Sequence, residues 1–147
     1  MHTLEHTGSI DDPIAVLLVD DELLEFKVLQ QKMAMAPDYA IQTDYAATIE
    51  TAVEKAMSKD FQLILVDNRL LPHHDFRETV PRLRAIGYTG PIGVVSSDIS
   101  DPCFQQFPEY GVDFRIGKDE IDYHSVRHMI SEYVREDIPD RWREDMT

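Results

Sequence analysis

Six apolar residues in a row, Ile14-Ala15-Val16-Leu17-Leu18-Val19, stand between Pro13 and the pair Asp20-Asp21. Two further runs have this form: residues 61–66, which end on Asp67, and residues 91–95, opened by Gly90-Pro91 and closed by Ser96-Ser97. Short apolar runs bounded by turn residues read as strands buried on both faces of a parallel sheet. Residues 40–45 and 112–116 carry more polar positions, which suits the two sheet edges. Helical periods lie between the runs. They place Leu24, Val28 and Met35 near one stripe of residues 23–36, and Ile49, Val53, Ala56 and Met57 on one face of 48–57. Phe76, Val80, Leu83 and Ile86 share a face of 76–86, and Val126, Met129, Ile130, Tyr133 and Val134 share one of 121–135. These stripes, and the Met33–Met35 stretch, are expected in the core. Residues 98–110 hold Pro102 and Pro108, which predict a short helix that ends early. Five strands alternating with five helices predict a doubly wound α/β parallel sheet. Right-handed crossovers then put the C-terminal end of every strand on one edge.

Composition narrows the function classes. The 147 residues suit one domain, with residues 1–12 as a polar leader, 13–136 as the domain and 137–147 as a tail. Acidic residues number 28 against 14 basic, a net charge of −14. That charge argues against nucleic-acid or anionic-membrane partners, both of which favour positive charge. It leaves room for bound cations or a basic partner. The one cysteine, Cys103, excludes an internal disulfide framework and a four-cysteine zinc site. No apolar run approaches ~18 residues, and the first twelve residues lack the basic start and apolar stretch of a signal peptide. A cytoplasmic protein is expected.

Function in such a sheet is expected at the C-terminal strand ends. The first strand ends in Asp20-Asp21-Glu22, the third in Asp67, the fourth in Ser96-Ser97 and the fifth in Gly117-Lys118. Converging carboxylates repel one another, and hard oxygen ligands with room for water suit Mg²⁺. Asp67 between them has the chemistry of a carboxylate nucleophile toward phosphorus. Ser96 and Lys118 are placed to hold other phosphoryl oxygens. Positioning and charge neutralisation are most of phosphoryl-transfer catalysis. Asp, Ser and Lys are also ordinary turn and surface residues; only their joint placement at successive strand ends gives them this meaning.

The arrangement resembles the receiver domain of two-component response regulators, the chemotaxis-receiver type. The matching residues are Val16-Leu17-Leu18-Val19-Asp20-Asp21-Glu22, Leu63-Ile64-Leu65-Val66-Asp67, Pro91-Ile92-Gly93-Val94-Val95-Ser96-Ser97, and Gly111-Val112-Asp113 running to Lys118. They span residues 14–133. The resemblance implies a flavodoxin-like strand order of 2-1-3-4-5, the order the general rule for such sheets already attaches to a chemotaxis receiver. It implies Asp67 as phosphoacceptor, with Ser96 and Lys118 on the phosphoryl group. It implies Mg²⁺ as cofactor, held by Asp21 directly, Asp20 mainly through water, Asp67, and the main-chain carbonyl of Arg69. The implied phosphodonor is a histidine kinase or a histidine phosphotransfer protein. The implied output is partner binding or phosphoryl relay through the fourth helix, fifth strand and fifth helix, by a monomer or weak dimer that is not an enzyme on a separate substrate. No output domain is expected after residue 136.

The chain departs from the family pattern at three places. Pro72 follows the acceptor by five residues instead of four, with no Gly after it. Asp119 follows Lys118 where the family has Pro, often cis. A cis bond before a non-proline residue costs ~2.5–4 kcal/mol, so this loop is expected to be held differently. Arg115 stands where the family has a switching Tyr or Phe. Two positions thought to tune hydrolysis are Arg69 and Asp98, and their opposite charges suggest a pair across the site mouth. An exposed pair without function is the equal alternative. Two other readings remain open: a receiver scaffold with altered or lost switching, and a small Mg²⁺-dependent phosphatase with an aspartyl nucleophile. Against the phosphatase, Arg69 occupies the position where such enzymes carry a second acid. Trp142 in the tail is either a partner anchor or packs back on the domain.

Overall fold

A computed structural model describes residues 13–36 and 39–134; the expected leader, the tail and Trp142 lie outside the described residues. Five strands alternate with helices: β1 (Ile14–Val19), α1 (Leu23–Ala34), β2 (Ile41–Ala46), α2 (Ile49–Ser58), β3 (Leu63–Asp67), α3 (Phe76–Ala85), β4 (Ile92–Ser96), β5 (Phe114–Gly117) and α4 (Tyr123–Met129). The strands form one parallel sheet in the order β2-β1-β3-β4-β5. β3 and β4 are buried along their whole length, whereas edge strands β2 and β5 keep partly exposed positions. The apolar runs and the more polar edge runs therefore sort as the burial argument requires.

Alternate strand residues feed two cores. Leu17, Val19, Ile64, Val66, Ile92 and Val94 point to one face, beneath α2 and α3. Val16, Leu18, Leu63, Leu65 and Val95 point to the other, beneath α1 and α4. The helix starts have local causes. The Thr48 side chain accepts from Thr51 N–H at the head of α2, Asp75 from Arg77 N–H at the head of α3, and Asp122 from Ser125 N–H at the head of α4.

Two expectations about helices are corrected. Residues 98–110 form no α-helix. They make two short 3-10 turns, Pro102–Phe104 and Phe107–Tyr110, so the described chain has four α-helices instead of five. Each proline removes an amide donor and fits only a first turn, and each sits at the start of its segment. Phe104 nevertheless fills the core by stacking on Phe76, 5.1 Å between ring centroids. The last helix also changes form, continuing from α4 as a π-helical turn over Ile130–Val134.

The second correction concerns α1. Leu24, Val28 and Met35 face outward, at 78%, 52% and 63% exposure, while Phe26 and Met33 are buried. Apolar residues occur on both sides of this helix, so periodicity alone did not choose its inner face. The Phe26 ring against Tyr45, 4.3 Å between centroids, fixes the rotation. Met57 of the α2 stripe is likewise 70% exposed.

Arg84 ties the strand starts together. Its guanidinium donates to the carbonyls of Tyr88, Gly90 and Gly111 and pairs with Asp113 at 2.9 Å. Asp113 also accepts from Ile92 N–H at 2.8 Å, locking β5 to β4. Gly111 has φ +91°, and a side chain there would press on Arg84, so glycine is required on both counts.

Gly93 gives a direct test of this packing. A methyl on Gly93 would overlap the Phe114 ring, which is stacked on Tyr133 at 4.4 Å. We expect Gly93→Ala to cost about 1–3 kcal/mol by overpacking, measured by urea unfolding.

Candidate functional site

The parallel register aligns the strand ends. Asp67 lies beside Val95, Ser96 lies beside Gly117, and β1 ends level with Val66. The residues one step beyond, Asp20 and Lys118, fall on the same edge. The site is thus a consequence of topology: residues 20, 67, 96 and 118 meet because four strands finish together.

Local bonds then fix each side chain. Asp20, buried, accepts from Glu22 N–H at 2.9 Å and turns the chain into α1. Asp21 accepts from Leu71 N–H at 2.9 Å, tying the end of β1 to the loop after β3. Asn68 closes the other end of that loop: its main-chain N–H donates to Val95 O at 2.8 Å and its side-chain oxygen accepts from Phe76 N–H at 3.0 Å. The longer loop carrying Pro72 is therefore pinned at three points. Ser96 Oγ accepts from Asp98 N–H at 3.1 Å. After β5, where the family proline is missing, the Glu120 carboxylate accepts from Gly117 N–H at 2.8 Å. That bond holds the Lys118 turn.

The resulting cleft of about 280 Å³ is lined by Asp21, Asp67, Arg69, Ser96 and Lys118, among others. Carboxylate oxygens of Asp20, Asp21 and Asp67 lie within 4.8 Å of one another. Lys118 Nζ sits 3.5 Å from Asp67 Oδ1 and also ion-pairs with Glu25 Oε1. Burial, then the neighbouring Asp20 charge, pushes the Asp67 carboxyl up to about 7, with Lys118 opposing. Burial likewise raises Asp20. Two buried acids and a more exposed third, all hard oxygen donors, form a set whose repulsion a divalent cation relieves. Oxygen-only donors beside open space fit Mg²⁺, which keeps several of its waters.

Not every expected partner joins the site. Arg69 is exposed at the cleft, and no Arg69–Asp98 ion pair forms among the described residues. The Asp98 carboxylate instead accepts from the Ser100 amide at 3.0 Å and from its hydroxyl. A short Asx turn satisfies it locally, without spanning the mouth. Arg115 points away from the site, its guanidinium 5.2 Å from the Phe107 ring centroid and 6.0 Å from that of Phe104. It makes a cation–π contact where the family pattern has an aromatic side chain. Sequence reading missed Glu25, Asn68 and Glu120. Glu25 had a signal: it follows Asp21 by four residues at the start of a helix, which returns it to the same side.

The raised Asp67 carboxyl makes stability depend on pH. The unfolded chain ionises Asp67 near its ordinary value of about 3.9, while the folded chain holds the proton to about 7. Between those values the folded state binds more protons, so stability falls as pH rises through this window and is flat above it. We expect metal-free Asp67→Asn to melt several degrees above wild type at pH 8, with the gap closing near pH 4, by scanning calorimetry. An equal gap at both pH values contradicts the burial account.

No helix among the described residues is long and apolar enough to cross a membrane. No family model matches the chain, and no curated protein matches it. Solved structures do. The chemotaxis protein CheY4 of Vibrio cholerae aligns with TM-score 0.70 at 20% identity, over 82% of this chain and 98% of that one. A CheY-like receiver domain from Methylobacillus flagellatus aligns with TM-score 0.69 at 21% identity over 82% and 98%. The receiver domain of the putative response regulator NarL from Mycobacterium tuberculosis aligns with TM-score 0.67 at 16% identity over 82% and 98%. With its strand order, its two-sided helical cover and this similarity across most of the chain, the protein has the CheY-like fold of response-regulator receiver domains.

Proposed function

We propose that the chain is a phosphoacceptor of a two-component relay, with Asp67 as the acceptor. The observation that carries this reading is the meeting of three carboxylates within 4.8 Å at one strand edge, with Lys118 3.5 Å from Asp67. An Asp67 oxygen forms a bond to phosphorus as the P–N bond of a phosphohistidine breaks. The electron pair of that bond returns to the imidazole nitrogen, which takes up a proton, and an aspartyl-phosphate remains. Lys118 and the Ser96 hydroxyl hold the remaining phosphoryl oxygens. Asp20, Asp21, Asp67 and the Arg69 carbonyl are the residues that would hold Mg²⁺, which when bound neutralises charge on the phosphoryl oxygens. The phosphodonor is a histidine kinase or a histidine phosphotransfer protein, and the chain acts in the cytoplasm. The adduct adds about −1.5 to −2 charge beside Ser96 and biases the loop after β4. Output is binding of a downstream protein or onward relay. The domain assists its own phosphorylation and turns over no separate substrate.

A second reading, a receiver with altered switching, is favoured by Arg115. Its guanidinium is already engaged with Phe107 and Phe104, so this position has no aromatic ring to move inward. Amide shifts confined to the cleft after phosphorylation, with residues 102–116 unmoved, would support that reading.

With Mg²⁺ and acetyl phosphate, wild type is expected to gain one phosphoryl group by intact-mass spectrometry and Asp67→Ala none. Lys118→Ala slows uptake by roughly 10²-fold, the size of losing one preorganised charge-stabilising donor. An adduct on Asp67→Ala overturns the assignment of the acceptor. Multiple turnover of a phosphate ester would instead favour the phosphatase.

A further inference from the structure

The lysine at the site does not face the acceptor alone. Lys118 is ion-paired to Glu25 on the first turn of α1 as well as standing 3.5 Å from Asp67. Both partners are about one-third exposed at the side chain, 29% and 34%, so the pair is shielded on most sides. Both are held charged. The bond from Lys118 keeps the Glu25 carboxyl below its ordinary range. Burial alone would lower the Lys118 ammonium, but the Glu25 bond and the Asp67 charge raise it.

An ammonium is a compact point charge with three donors and no acceptor. A donor committed to Glu25 is not offered to a phosphoryl oxygen. There is room to hold the lysine back: beside the pair, on the α1 side, opens a pocket of about 310 Å³ whose walls include Leu24, Val28 and Ile121. No core side chain has to move for Lys118 to stay there.

We propose that Glu25 is a positioning residue that holds Lys118 on the α1 side of the site, in competition with the phosphoryl group, and so limits how fast Asp67 is phosphorylated. This deepens the phosphoacceptor reading and rests on it. With acetyl phosphate as donor, an Asp67 oxygen bonds to phosphorus while the phosphorus–oxygen bond to acetate breaks. Acetate leaves with the electron pair and no proton moves. Lys118 steadies the oxygens in flight, and Glu25 draws it away from them.

The test measures initial uptake rates from acetyl phosphate with Mg²⁺ in four proteins besides wild type. Glu25→Gln keeps the shape and removes the charge, and uptake rises roughly threefold to tenfold, consistent with releasing a partly shielded ion pair. Glu54→Gln removes an equal charge from the exposed side of α2, outside the cleft, and leaves the rate within about twofold. In the Lys118→Ala background, adding Glu25→Gln gives no further gain, because nothing remains to release. A Glu25→Gln rate at or below wild type overturns the proposal. So does a gain that survives without Lys118, or one that Glu54→Gln reproduces. Absence of any adduct on wild type is a different result: it removes the phosphoacceptor reading itself, and this proposal with it.

Discussion

Asp67 ends a strand with no exposed residue, and the architecture around it answers the problem of keeping a carboxylate there. Its side chain is 9% exposed, Asp20 is close enough to repel it, and one ammonium stands 3.5 Å off. A parallel sheet produces this crowding by construction, since every strand delivers its last residue to one edge. The same geometry supplies the remedy, because β4 and β5 bring Ser96 and Lys118 to that edge from the other side. Repulsion, a raised acceptor carboxyl and a place for a divalent cation are three aspects of one charge arrangement.

The loops at this edge are rigid for reasons specific to this chain. Asp21 and Asn68 divide the work of closing the long loop after β3, each by accepting a main-chain amide. Glu120 replaces a proline-built turn after β5 with a carboxylate-to-amide bond. Such charge-assisted bonds are stronger than neutral ones, and they fix the two turns that bear Leu71 and Lys118. The site is tied down around its base, and its lysine ion-pairs at once to α1 and to β3.

The face beyond β4 differs from a helical one in kind. Two prolines break it into 3-10 turns, and Phe104 is drawn into the core while Phe107 stays nearer the surface under Arg115. The Arg115 contact is a cation over a ring, worth about 0.5–1 kcal/mol at an exposed site, so it is easily exchanged for another partner.

The order of the strands' apolar runs, the acids that end them and the lysine after the last were legible in the chain itself. Burial on both faces forces unbroken apolar runs, and a polar residue can only follow where the strand leaves the sheet. The inner face of α1 was not legible, because Leu24, Val28 and Met35 repeat as regularly as Phe26 and Met33 do. That choice belongs to Tyr45, a residue of another strand. The Arg69–Asp98 pairing was suggested by sign alone, and a nearer donor in Ser100 took Asp98 instead. Glu25 and Glu120 acquired their roles only when folding set a carboxylate beside a particular ammonium or amide. Sequence determined which groups reach the edge, since backbone pattern is local; tertiary structure decided which of them touch, since a contact depends on side-chain reach across elements that are distant along the chain.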